Sequence, residues 1–196
     1  PDGFREDYLL RYMLDVETRE SPSLLNVRAF LDPTAYKLKV KRPGSDESRE
    51  VAVDLLETFN WLLGLVVREI NAPQTFSAEF QRSKHGRLEL KGALKVDPAG
   101  PWWFRTVTGT LRSGERVLVL WRKRPGGEKA EGIEQDNLVL DEWLRKVAYS
   151  TRDLEFDLIY VNGDNNLPNV KRGEENWKVR LIDEEFHRLM FEGTDA

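Results

Sequence analysis

The order of apolar and polar positions along the chain predicts a mixture of helices and strands. Phe4, Tyr8, Leu9, Tyr12, Met13 and Val16 recur at steps of three and four, so residues 3–18 are expected to form an amphipathic helix that stops before Ser21-Pro22. Ser23 can cap a short second helix carrying Leu24, Leu25, Val27, Phe30 and Leu31, ended by Asp32-Pro33. The period then drops to two: Tyr36, Leu38 and Val40 alternate with Lys37, Lys39 and Lys41, which predicts a half-buried strand over 36–42. Residues 43–48 are turn formers, and 50–53 can return as the second strand of a hairpin. Asp54 can cap the strongest helix, with Leu55, Leu56, Phe59, Leu62, Leu63, Val66 and Val67 on one side. Trp61 and Leu65 widen its apolar face, which is expected to run from 54 to 70.

Residues 75–80, 87–94, 102–110 and 116–122 each carry a strand pattern separated by loop formers, which together predict an antiparallel meander. The run 117–121 is apolar throughout, as in a strand covered on both faces. Residues 125–132 are glycine-rich and are expected to be an exposed loop. Leu138, Leu140, Trp143, Leu144 and Val147 then make a helical stripe, and 156–161 form another apolar strand; strand, helix and strand over this distance make a right-handed crossover with parallel strands. A last helix is expected over 183–191, with Phe186, Leu189 and Met190 inward. No internal repeat or linker interrupts the chain. The expected fold class is α+β: a mixed sheet with an antiparallel meander and one parallel crossover unit, flanked by helices, in a single domain over 1–196.

Composition narrows the chemistry. With 196 residues, 40% hydrophobic and 33% charged, the chain can bury a substantial core and lies far from disordered compositions. No apolar run approaches the roughly 20 residues that cross a bilayer, and the first residues lack a basic stretch followed by an apolar one, so a soluble cytoplasmic protein without membrane partners is expected. The chain has no cysteine, which excludes disulfides, thiolate metal sites and cysteine nucleophiles; its two histidines, His85 and His187, lack any recognisable nucleophile or metal partner. Thirty basic against 34 acidic residues leave a net charge of −4, so nucleic-acid contact would have to be local.

Four local patterns admit both a functional and a plain reading. Lys37, Lys39, Lys41 and Arg42 form a basic strip that can follow a phosphate backbone, or can protect an exposed strand from pairing. Glu89-Leu90-Lys91 has the spacing of the final part of a metal-dependent nuclease site, with Asp164 as a further carboxylate; the same spacing is the solvated face of a charged strand, and no Pro-Asp pair on an earlier strand completes the site. Trp102-Trp103-Phe104-Arg105 can stack on bases, although strand alternation makes one tryptophan core and the other surface. The run NGDNN at 162–166 follows a buried strand, where ligands gather in open sheets, and is also what a tight turn requires. Phosphate-loop and dinucleotide-binding fingerprints are missing.

Longer segments carry a resemblance. VDLLETFNWLLGL at 53–65 resembles the C-terminal part of adenine-specific DNA methyltransferases of the type III restriction-modification (Mod) kind. SPSLLNV at 21–27, DPTAYKLKV at 32–40, PWWFR at 101–105, VLVLWRK at 117–123, DNLVLDEW at 136–143 and IYVNGDNNLP at 159–168 look like the same tail in the same order. The resemblance covers nearly the whole chain. Members of that family methylate the exocyclic amine of adenine with S-adenosylmethionine, using an Asp-Pro-Pro-Tyr type motif for the flipped base and a Phe-x-Gly-x-Gly type loop for the cofactor. Asp32-Pro33-Thr34-Ala35 has only the first two letters and is expected to be a turn. The resemblance therefore implies a piece that follows the catalytic domain of a longer polypeptide, with no catalytic, metal or cofactor residue of its own. Its implied partners are DNA through the parent protein, its own catalytic domain, and a second Mod-like or a restriction subunit. An autonomous metal-dependent nuclease using Glu89, Lys91 and Asp164 is the rival; a plain nucleic-acid-binding module using the basic strip is a third reading.

Overall fold

A computed structural model describes residues 30–41, 48–52, 54–147, 149–152, 154–171 and 177–191. The expected helix at 3–18, most of the one from Ser23 and residue Arg42 lie outside the described residues. Lys37–Lys41 (β1) pairs antiparallel with Ser48–Ala52 (β2) as a two-stranded ribbon, as the alternation predicts. A seven-stranded mixed sheet forms the centre. Its members are Val66–Ile70 (β3), Gln74–Ser77 (β4), Lys95–Val96 (β7), Trp102–Thr110 (β8), Arg116–Arg122 (β9), Leu158–Val161 (β10) and Val179–Leu181 (β11). The order runs β11-β10-β9-β8-β4-β7, and β3 pairs with the other half of β8. β8 and β9 are antiparallel, while β9, β10 and β11 are parallel. The α+β class, with antiparallel and parallel pairing in one sheet and helices alongside, is thus present.

Helix Ala130–Lys146 (α2) makes the crossover from β9 to β10. Phe80–Arg82 (β5) and Leu88–Leu90 (β6) form a separate hairpin between β4 and β7, so the segment expected as a sheet strand at 87–94 contributes only a short arm. Helices Leu55–Leu62 (α1) and Ile182–Phe191 (α3) complete the described helices. Among the described residues no helix is long and apolar enough to cross a membrane.

Strand periodicity sorts the core into two layers. Val117, Val119 and Trp121 of β9, with Leu158 and Tyr160 of β10, face α1, α3 and Phe30; Leu118, Leu120, Ile159 and Val161 face α2 through Val139, Leu140, Trp143 and Leu144. A continuous apolar run is what two covered faces demand. The same layering corrects the expectation for the tryptophan pair: Trp102 and Trp103 point in opposite directions, yet both are buried because each face has its own cover.

Two boundaries differ from the sequence expectation. The helix capped by Asp54, whose carboxylate accepts from the Leu56 and Glu57 amides at 3.0 and 3.1 Å, ends at Leu62 instead of continuing toward 70. Gly64 takes φ +65°, its N–H donates to Trp61 O at 2.9 Å, and Leu65 N–H donates to Asn60 O at 3.0 Å. This reversal closes a helix and costs glycine little, and the β-branched Val66 and Val67 that follow join the sheet as β3. The second correction concerns 125–132. Only its first part is a loop; α2 starts at Ala130, and Gly126 and Gly132 pack so closely that a Cβ on either would overlap the other's backbone. These glycines serve close approach between loop and helix.

Candidate functional site

The parallel strands β9 and β10 end in a buried polar cluster. Arg122, the last residue of β9, is 1% exposed. Its guanidinium donates to neutral oxygens only: Nε to Asn162 O at 3.1 Å, Nη1 to Asp136 O at 3.1 Å and to Asn137 Oδ1 at 3.2 Å, and Nη2 to Asp164 O at 2.8 Å. Asn162, fully buried, completes the junction. Its Oδ1 accepts from the Arg122 amide at 2.8 Å, and its Nδ2 donates to Arg122 O at 2.9 Å and to Phe30 O at 2.8 Å. An asparagine suits this position because it offers an acceptor and a two-hydrogen donor from one short side chain. One residue thereby ties β9, β10 and the segment around Phe30 together.

Carboxylates surround the junction without touching the Arg122 guanidinium. Asp136 Oδ1 accepts from Trp102 Nε1 at 2.8 Å and from Gly126 N–H at 3.2 Å. Asp183, in the first turn of α3, accepts from Gly163 N–H at 2.7 Å. Burial raises both carboxyl groups above their ordinary range, against the lowering effect of those hydrogen bonds. Burial likewise pushes Arg122 down to about 10, and the neighbouring positive charge of Arg124 adds to it. Arg124 is itself 6% exposed, with Nε and Nη2 unpartnered. Its guanidinium lies against Gly163, which has φ +73° and no room for a Cβ.

On the opposite half of the sheet, two cavities of about 420 and 380 Å³ share Tyr149. The first is bordered by Arg68, Thr108, Thr110 and Arg116; the second by Asn71, Gln74, Thr106 and Trp143. Burial, then Glu155 and Glu69, raise the Tyr149 phenol.

The residues singled out from sequence do not meet in one place. Lys37, Lys39 and Lys41 fall on alternate positions of β1, with Lys39 opposite Glu50 in the register; Lys37 is exposed. Lys91 pairs with Glu79 at 3.4 Å, and Glu89 sits opposite Gln81 in the β5–β6 hairpin. Asp164 contributes its backbone carbonyl to the junction, where it accepts from Arg122. Among the described residues no group of three His, Asp or Glu side chains is placed to hold a metal ion. His187 is exposed on α3. Asp32-Pro33-Thr34-Ala35 is the expected turn: Asp32 O accepts from the Ala35 amide at 3.1 Å and its carboxylate from the Thr34 hydroxyl at 2.6 Å. The junction itself was only half visible in sequence. The run 162–166 marked its position; Arg122 and Arg124, two cations that close an apolar strand and follow it, were the signal that sequence reasoning missed.

Comparison of the chain with protein-family models, curated proteins and solved structures finds no match.

Proposed function

We propose that this chain is an accessory module of an S-adenosylmethionine-dependent DNA adenine methyltransferase of the restriction-modification type, inactive alone, which positions DNA or assembles the parent enzyme. The reading rests on the ordered resemblance described above. One observation supports it as a scaffold: the family-like segments converge. VLVLWRK supplies Arg122 and Lys123, DNLVLDEW supplies Asp136 and Asn137, IYVNGDNNLP supplies Asn162 to Asp164, PWWFR supplies Trp102, and DPTAYKLKV supplies Asp32, which pairs with Lys123 at 3.2 Å. These residues are engaged in joining strands and helices, which is the use an accessory domain makes of its most distinctive positions.

DNA contact is assigned to the β1–β2 ribbon, where three lysines alternate along one strand. The test is binding of duplex and single-stranded probes by the 196-residue chain at low and moderate salt, without cofactor. Salt-sensitive binding is expected. The Lys37→Ala/Lys39→Ala/Lys41→Ala variant should flatten the dependence of log K on log salt by up to about one per lysine. Binding with an unchanged slope would remove the ribbon from the DNA. A parent enzyme that assembles and methylates normally without this region would overturn the function as a whole.

A further inference from the structure

The α2 face of the sheet is only partly covered by α2. Phe104 of β8 lies against Trp143 of the helix, their rings stacked at 4.6 Å and 14°. The strand period places Thr106, Thr108 and Thr110 on the same face as Phe104, and the register sets Thr108 opposite Glu69 of β3 and Thr110 opposite Arg116 of β9. The helix ends at Lys146, within a turn of Trp143, and Tyr149 and Phe156 of the following connection continue its aromatic row. Trp143 and Tyr149 meet edge to face at 6.3 Å, and Tyr149 and Phe156 at 5.8 Å. The two cavities that share Tyr149, about 420 and 380 Å³, are bordered by the threonines and by this row, and volumes of that size hold small molecules.

The two cavities offer different chemistry. The second joins the rings of Phe104, Trp143 and Tyr149 to the side-chain amides of Asn71 and Gln74. Asn71 Nδ2 donates to Thr106 Oγ1 at 2.9 Å and Arg105 Nε donates to Asn71 O at 3.2 Å, so this amide is fixed before a ligand arrives, at little entropic cost to binding. Aromatic rings take the face of a nucleobase, and Asn and Gln amides match the donor and acceptor on its edge. The first cavity carries Glu69 and Glu155, the same carboxylates whose charge acts on the Tyr149 phenol. A carboxylate beside a base site accepts from sugar hydroxyls, as in dinucleotide-binding folds. Of the two cations bordering this cavity, Arg116 is already held by Asp157 at 3.1 Å, which leaves the balance acidic and unsuited to phosphate.

We propose that the paired cavities around Tyr149 bind a free nucleoside, its base among the aromatic rings against Asn71 and Gln74 and its sugar hydroxyls toward Glu69 and Glu155. The acidic balance selects the free nucleoside over a nucleotide within a strand, whose sugar is flanked by phosphates. The site is separate from the β1–β2 ribbon that carries the DNA contact, so either assignment can fail without the other.

The test is titration of the full chain with adenosine, followed by calorimetry and by saturation-transfer NMR, with thermal melts of every variant as a control for folding. Saturable binding is expected. Gln74→Ala and Glu69→Gln alter exposed side chains outside the core, and each should weaken binding about fivefold, the loss of one hydrogen bond. The Lys37→Ala/Lys39→Ala/Lys41→Ala variant should bind adenosine as the unaltered chain does, and ribose alone should not bind. Absence of saturable binding at millimolar adenosine overturns the proposal. So does binding indifferent to both the Gln74 and the Glu69 substitutions, which places the ligand elsewhere, or ribose that binds as tightly as adenosine, which removes the base from the site. A short single-stranded oligodeoxynucleotide that displaces adenosine would likewise overturn the assignment to a free nucleoside.

Discussion

Arg122 and Asn162 hold positions where the cost of replacement falls on their neighbours. Truncating Asn162 to alanine would strip the Arg122 amide, the Arg122 carbonyl and the Phe30 carbonyl of their partners in an interior that water does not reach. Each orphaned group costs about 1–3 kcal/mol, so Asn162→Ala is expected to lose roughly 3 kcal/mol or more in urea unfolding. Arg122→Met removes a buried cation together with the bonds that satisfied it, and leaves the Asn137 side chain and the Asp136 and Asp164 carbonyls facing an apolar chain. A loss of about 3–5 kcal/mol is expected, whereas Lys91→Ala on the exposed β5–β6 hairpin should change stability by less than about 0.5 kcal/mol. The sequence marked Asn162 as part of a turn or a ligand loop. Nothing local could reveal its role, because its partners lie 40 and 132 positions away.

At the scale of elements, glycine decides one of the boundaries that periodicity misplaced and sets the close packing beside another. The apolar steps from Leu55 to Val67 are compatible with one long helix, and hydrophobic spacing alone carries no sign of where it stops. The stop comes from Gly64, whose left-handed conformation closes α1 while Leu65 turns into the core. Gly64→Ala should cost about 1 kcal/mol, since the site has free space and only the conformation is strained. Gly132→Ala meets the opposite situation, an ordinary helical position with the Gly126 backbone against it, and should cost at least about 2 kcal/mol more than Gly64→Ala. Chemical denaturation of the two variants side by side checks the order. β8, β9 and the crossover through α2 were legible because long runs of one period survive any detail of context. β11, three residues long, was not, since so short a segment has no period to detect.

Across the whole molecule, the buried carboxyls make stability depend on pH in an unusual direction. Asp183 and Asp136 titrate above their ordinary values in the folded chain, so between the unfolded and folded values the native state holds more protons than the unfolded state. Their contribution is therefore most favourable at low pH and declines as pH rises through the folded values. Asp32 works the other way: burial would raise it, but its bonds to the Thr34 hydroxyl and to Lys123 hold it low, so its contribution is present at neutral pH and lost on acidification. Asp183→Asn keeps an acceptor for the Gly163 amide while removing the titration. Its stability relative to wild type should improve as pH rises above the ordinary aspartate range, as followed by urea midpoints at matched ionic strength. What the sequence conveyed best was this largest scale, a mixed sheet between helical layers, because many weak preferences agree there; the carboxyl environments come from packing that no single segment encodes.

The hydrogen bond from Asn162 to the Phe30 carbonyl, 132 positions upstream, also sets an order of events in synthesis. A chain leaving the ribosome exposes Phe30 long before Asn162 exists, and β9 waits for its parallel neighbour β10 until the whole of α2 has been made. Contacts of such long range fold late and slowly. The nascent chain thus carries the unpaired edge of β9 until the 40 positions from Arg122 to Asn162 have been added, the interval in which a chaperone would have most to do.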